Sequence, residues 1–331
     1  MVTIKDVAAR AGVAFKTVSR VINKDETVKA GNREKVLRAI EELGYRPNRA
    51  AQMTRRKKSG VVGFIADELL DVPYTFDIIR GAQDEAWRSN KELMVVNVSE
   101  RKYSASGAVE HLLAHRVEGV IYASMYHRQV IIPELLNTVP TVLANCYDQN
   151  HAFTCIVPDE LNAARQITNQ LLDKGYRRVV FLNLNPKIIA AELRKQGVEE
   201  AFRQRFGSTD NLHVESVIND VDNREVSTTR ERAKALITEF KPDAIICGQD
   251  PMAVEVYFVA QALGLQVGRD IGIASFDNWD VLPQLVEPQL STMALPHYDM
   301  GKWAFNYLQG PQTINSKKHT APFEFIRRAS F

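Results

Sequence analysis

From Val61 onward the chain alternates short, β-branched apolar runs with amphipathic helices, and it does so twice. Strands are predicted at 61–66, 93–98, 119–124 and 140–145, with helices near 74–90, 104–115 and 130–137 between them. The pattern restarts with strands at 178–183, 212–218, 243–247 and 271–276, alternating with helices near 160–174, 189–205, 227–239 and 251–263. Strands separated by helices cannot close into tight hairpins, so neighbours run parallel and the helices cover both sheet faces. Two such series imply two α/β lobes, for which 331 residues supply enough chain. A cleft between the lobes collects the carboxyl ends of many strands, where open α/β sheets bind ligands.

The first 60 residues have a different texture. Thr3 to Asn23, TIKDVAARAGVAFKTVSRVIN, reads as two short helices joined by a tight turn. Thr3 is a candidate N-cap, and Ile4, Val7 and Ala8 follow helical spacing. Gly12 can take the left-handed conformation that ends a helix, and Val13 plugs the angle between the two. Val18, Val21 and Ile22 form the inward face of the second helix, leaving Phe15, Lys16, Ser19 and Arg20 outward. A small domain gains no stability by exposing Phe beside Lys and Arg, but a helix in a DNA major groove uses all three to read base edges. A third helix is predicted over 32–43, burying Val36, Leu37, Ile40 and Leu43, with Gly44 at its end. Charge supports this division: residues 1–60 carry 15 Lys and Arg against 6 Asp and Glu, whereas the remainder carries 27 against 34. A basic end on an acidic body is the footprint of a nucleic-acid-binding module attached to something else.

The runs TIKDVAARAGV and TVSRVIN resemble the headpiece of the lactose-repressor (LacI) family of bacterial transcription factors. That resemblance extends along the chain, since the two α/β series match the family's periplasmic-binding-protein-like core. It implies a helix-turn-helix domain over 1–47, a hinge over 48–58 and an effector-binding core over 59–331. The first lobe would comprise 59–157 and 292–321, the second 158–291 and 322–331. By motif position Phe15, Lys16 and Arg20 fall where the family reads bases, and Thr17, Ser19 and Asn23 where it meets phosphates. Ala14 replaces the serine that usually caps the recognition helix, a loss of about 0.5–2 kcal/mol. NRAAQMTRRKKSG is either a flexible linker or the family's hinge helix, which orders in the minor groove. Its apolar wedge would be Met53 or Thr54, of which Thr54 intercalates poorly.

Residues at strand ends suit a small polyhydroxyl ligand. Asn145 ends one strand, Gln249 and Asp250 follow another, and Asp277 a third, while Asp159 follows CIVP. By resemblance, Arg194 in RKQG and Asp277 match effector-contacting positions, and Gln249 stands where many members have Asn. A carboxylate accepts two O–H bonds while a guanidinium donates two N–H bonds, which suits vicinal sugar hydroxyls. Tyr74 and Phe76 could stack on a sugar face or belong to the lobe core; Tyr126 and Trp279 are weaker candidates. Asp159 and Asp250 serve equally well as helix caps. A ligand touching both lobes would favour a closed cleft. Within the family, VLANCYDQNHAFTCIVPDE, DAIICGQD and ALPH are most similar to the sucrose-operon repressors, so sucrose or a related saccharide is the expected effector. A free sugar-binding protein or a purine-responsive member of the family is the alternative.

Other classes find little support. There is no GxGxxG, Walker A or GxSxG motif, so neither an enzyme nor a bound cofactor is expected. His111 and His115 are spaced as a metal pair but lack the glutamate of HExxH, and no metal site is expected. Cys146, Cys155 and Cys247 lack CxxC spacing and are expected as buried thiols. MVTIKDVAAR lacks the apolar core of a signal peptide and no run suits a membrane span, so a cytoplasmic, nucleoid-associated protein is expected. The implied partners are double-stranded palindromic operator DNA, a small sugar and a second copy of the chain. Ending at Phe331 leaves no heptad tail, which predicts a dimer rather than a tetramer.

Overall fold

The structure, a computed structural model, describes residues 2–23, 25–45, 59–67, 76–98, 104–150, 152–221, 224–279, 281–311 and 317–331. It divides into two compact units, Met1–Ser59 and Gly60–Phe331. In the small unit α1 (Ile4–Ala11) starts at a capping box, in which the Thr3 side chain accepts from Asp6 N–H and the Asp6 carboxylate from Thr3 N–H. Gly12, at φ 65°, ends it. Helix α2 (Phe15–Ile22) begins at Ala14 with no side-chain cap, and α3 (Ala30–Leu43) starts two residues before the predicted position. Val7, Val18, Val21, Val36 and Ala39 make the core. Leu37, expected inside, is 52% exposed, because Val36, Ala39 and Ile40 already fill the stripe facing α1 and α2.

The large unit is α/β, with two six-stranded sheets among the described residues. The first has β1 (Val61–Asp67), β2 (Glu92–Val98), β3 (Val120–Val130), β4 (Thr141–Asp148), β5 (Thr154–Pro158) and β13 (Lys318–Ala321), in the order 13-5-4-3-1-2 and all parallel. In the second, β6 (Val179–Asn183), β7 (Leu212–Ser216), β10 (Ala244–Cys247), β11 (Gly272–Asp277) and β12 (Ser291–Ala294) are parallel, and β14 (Glu324–Ile326) pairs antiparallel with β12. Helices α4 (Phe76–Arg88), α5 (Ala105–Ala114) and α11 (His297–Gln309) cover the first sheet. The second is covered by α6 (Glu160–Asp173), α7 (Ile189–Phe206), α8 (Thr229–Glu239) and α9 (Asp250–Ala262), and the short α10 (Leu282–Leu285) follows β11. All three cysteines are free and buried.

The chain passes between sheets three times, after Pro158, after Ala294 and after Ala321. The second passage corrects the expected boundary at 292: Thr292 and Met293 pair with Ser275 and Phe276 of β11, and Met293 is buried in the second lobe. Two further segments differ from expectation. Residues 130–137 are not an α-helix: β3 runs on to Val130 and only a 3-10 turn, Glu134–Thr138, follows. Beyond β7 a hairpin of β8 (Ile218–Val221) and β9 (Arg224–Ser227) fills the interval between the strand expected at 212–218 and the helix expected at 227–239.

Packing in both lobes depends on helices that touch backbone to backbone. On α4 and α11, a Cβ at Gly81 would lie 2.0 Å from Tyr298 O, and one at Gly301 2.0 Å from Ile78 O. On α7, a Cβ at Gly197 would lie 2.2 Å from Leu161 O of α6.

Candidate effector cleft and DNA-reading helix

The carboxyl ends of the strands meet in a cavity lined from the first lobe by Met125, Tyr126, His127 and Asn145, and from the second by Glu160, Asn185, Arg194, Glu225, Gln249 and Asp277. Arg194 is buried, and the close α6/α7 approach at Gly197 brings it to Glu160. Its Nε donates to Glu160 Oε2 at 2.6 Å and its Nη1 to the Gly248 carbonyl at 2.5 Å. The Phe276 ring lies 4.3 Å from the guanidinium carbon. The arginine is thus a structural strut as well as a cleft residue, with Nη2 the donor those two partners do not engage.

Asp277 ends β11 at φ 113° and Asn278 follows at 53°, while Asn145 in β4 has φ 58°. Strained non-glycine residues of this kind persist where the surroundings over-determine them, and they cluster at binding sites. Burial pushes the Asp277 carboxyl well above the usual carboxylate range, and the neighbouring Asp250 adds to the effect against the pull of Arg194. O–H donors from a ligand would relieve that desolvation. Asn145 donates to the carbonyls of Ser124 and Met125, at 3.1 and 2.9 Å, bridging the β3 irregularity between Ala123 and Arg128. Gln249 is half-buried at the N-cap of α9.

The other candidates lie elsewhere. Asp250 is fully buried and accepts from Ser275 Oγ, from Thr292 Oγ1 at 2.9 Å and from Trp279 N–H at 2.7 Å, tying β11 to β12. Asp159 caps α6 through Asn162 N–H. Phe76 opens α4, is 44% exposed and is not among the residues lining the cavity. Tyr74, Met53, Thr54 and the hinge 48–58 lie outside the described residues. His111 and His115 are exposed on α5, and the described residues contain no cluster that could hold a metal ion. Sequence reasoning missed His127, Glu160, Asn185 and Glu225. Glu225 arrives on β9, in an interval to which the sequence pattern assigned neither strand nor helix.

In the small unit Lys16 and Arg20 are exposed on α2, and Thr17 and Ser19 are half-buried. Phe15, expected to face outward, is half-buried and packs partly against the core of the unit. The Arg20 guanidinium is engaged: Nε donates to Asp25 Oδ2 at 2.8 Å and Nη2 to Thr27 Oγ1. Hydrogen bonds from Thr27 and Arg20 hold the Asp25 carboxyl well below its ordinary range. Asn23 donates to the Ser19 carbonyl at 2.7 Å.

A helix-turn-helix unit and a two-lobed core with a polar interlobe cleft, carried on one chain, define a ligand-regulated DNA-binding protein. Residues 3–48 match the bacterial regulatory proteins of the lacI family, and residues 59–315 the family of periplasmic binding proteins and sugar-binding domains of lacI regulators. The chain therefore belongs to the lacI family of bacterial transcriptional regulators. It is 32% identical over 308 residues to the sucrose operon repressor of Escherichia coli, covering 92% of each chain. It is 33% identical over 336 residues to catabolite control protein A of Priestia megaterium, covering 99% of each. The crystal structure of the lac repressor dimer bound to operator and the anti-inducer ONPF superposes with a TM-score of 0.74 at 25% identity, covering 99% of this chain and 98% of that one. Among the described residues no helix is long and apolar enough to cross a membrane.

Proposed function

We propose that this regulator is a homodimeric repressor of a carbohydrate-utilisation operon, acting on DNA in the cytoplasm, whose operator affinity is set by a small saccharide in the interlobe cleft. Sucrose or a close relative is the effector we favour, on the similarity to the sucrose operon repressor. The observation that carries the reading is the pair Arg194 and Asp277, the latter held at strained φ beside a cavity that opens to both lobes. Asn145 and Gln249 complete the polar lining. The cavity is only about 60 Å³, far below the ~300–1,000 Å³ of ordinary ligand pockets. Both lobes line it, so a saccharide bound there shifts the balance between their relative positions by its differential affinity.

Dimerisation fits exposed apolar residues on both lobes. Trp87 and Val95 lie on α4 and edge strand β2. In the second lobe Phe258 and Leu285, 55% and 73% exposed, line a groove of about 840 Å³. A two-fold axis would present two recognition helices to palindromic half-sites. In each headpiece Phe15, Lys16 and Arg20 would read bases, and Thr17, Ser19 and Asn23 would meet phosphates. Met53 or Thr54 would sit at the minor groove.

The decisive experiment is an operator titration with and without sucrose. Asp277→Ala is expected to lose the sucrose response yet keep sugar-free operator affinity within about 1 kcal/mol, since coupling runs only through bound ligand. A folded mutant that still responds fully would remove Asp277 from the site. Arg20→Ala is expected to cost about 1–3 kcal/mol at one operator base pair and to relax preference there. Equal weakening on all sequences would make Arg20 a phosphate contact instead.

A further inference from the structure

His127 sits on β3 within the irregular stretch between Ala123 and Arg128, where the register with β4 shifts. It is 4% exposed and lines the cavity with Asn145, Arg194 and Asp277. Neither ring nitrogen has a hydrogen-bond partner; among the described residues the only other buried side-chain atom so placed is Asn97 Oδ1. The Tyr147 ring packs edge-on at 6.0 Å and helps fix the imidazole plane. An unpartnered buried imidazole costs stability and is retained where something outside the resting fold satisfies it.

We propose that His127 is the first lobe's hydroxyl-binding group, donating from one ring nitrogen and accepting at the other when an uncharged saccharide fills the cleft. This rests on the saccharide reading of the cleft given above. Burial, with Lys318 and Arg194 adding positive charge nearby, pulls the imidazole pKa down to about 3, so the ring is neutral at physiological pH. A neutral imidazole offers one donor and one acceptor, and sugar hydroxyls both donate and accept, so a vicinal pair satisfies both nitrogens. A fully ionised phosphoryl group set against the ring only accepts and would leave one nitrogen orphaned, so that end of the ligand must be a hydroxyl-bearing one. The carboxylates of Glu160 and Glu225 line the same cavity, and Arg194 Nε and Nη1 are already engaged by Glu160 and the Gly248 carbonyl. The recognised class is therefore a free sugar and not its phosphate ester.

The test is thermal unfolding of the full chain with sucrose, fructose, glucose or fructose 6-phosphate, read beside isothermal titration. At least one free sugar should raise the wild-type midpoint, and fructose 6-phosphate should bind more weakly than free fructose. His127→Phe should melt higher than wild type without ligand, because two orphaned nitrogens are gone. Its affinity for the active sugar should fall about 10- to 100-fold. His127→Gln, which keeps a donor and an acceptor, should retain part of that affinity. A His127→Phe protein that melts lower without ligand, or binds sugar as wild type does, would overturn the assignment, as would a preference for the phosphate ester. If His127→Phe does not fold, His127→Gln decides, and unchanged sugar affinity in it removes the role. Should none of the sugars move the wild-type midpoint, the saccharide reading itself fails and takes this proposal with it.

Discussion

Arg194→Ala is expected to destabilise the core by about 3–5 kcal/mol, because it leaves the Glu160 carboxylate buried without its counter-ion. Both side chains are almost inaccessible, at 3% and 2% exposure, and the Gly248 carbonyl would lose a donor as well. Urea unfolding with the denaturant slope held common should show the loss as a lower midpoint. Glu160→Gln on the same background should recover a substantial part of it, since a neutral amide is cheaper to leave in that place. If Arg194→Ala costs less than about 1 kcal/mol, water reaches Glu160 and the pair is not the strut described here. The consequence for function is that an effector-blind Arg194 variant is ambiguous. Loss of sugar response there mixes a damaged lobe with a missing contact, which is why Asp277 is the cleaner probe.

Gly301→Ala should be comparably severe, at about 3 kcal/mol or more. The added methyl meets a backbone carbonyl, Ile78 O at 2.0 Å, and a carbonyl inside a helix cannot swing aside as a side chain can. Relief requires α4 and α11 to separate, opening the layer of Ile78, Ala82, Met300 and Phe305 between them. A circular-dichroism melt of the single mutant measures the loss. A change under about 1 kcal/mol would show that the crossing is looser than the structure has it. Gly31→Ala is the control, because nothing lies within 4 Å of its Cβ position.

The parts of the fold legible in the sequence were those with a local signature. Strands such as 61–66 and 244–247 are short apolar runs buried on both faces, and their length and the flanking Gly60 and Gly248 mark them as strands rather than buried helix. The lobe crossing at 292 was misplaced because Ser291–Ala294 is too short to show a period and joins its sheet only through β11 and β14. Leu37 and Phe15 failed for a related reason: helical spacing names a face, but the width of the buried stripe depends on where the neighbouring helices cross. In the cleft, Arg194, Asn145, Gln249 and Asp277 were all brought to one cavity. That Arg194 is bound to Glu160 was hidden, since 34 residues separate them and only the glycine contact between α6 and α7 unites them. His127 carried no signal at all. Its importance comes from what does not touch it.

The three passages between the sheets have a consequence for the living cell. Each sheet is finished by a strand from the far end of the chain, β13 for the first and β14 for the second. The helical unit, by contrast, draws all its core from residues 4–45. On the ribosome the headpiece can close while neither sheet has its edge. At roughly 5–20 residues per second, the gap lasts on the order of 15–60 s. During that interval a nascent chain carries a DNA reader with no working sensor. Each lobe, and with them the cleft that both line, is therefore completed only by the last strands of the chain to be made.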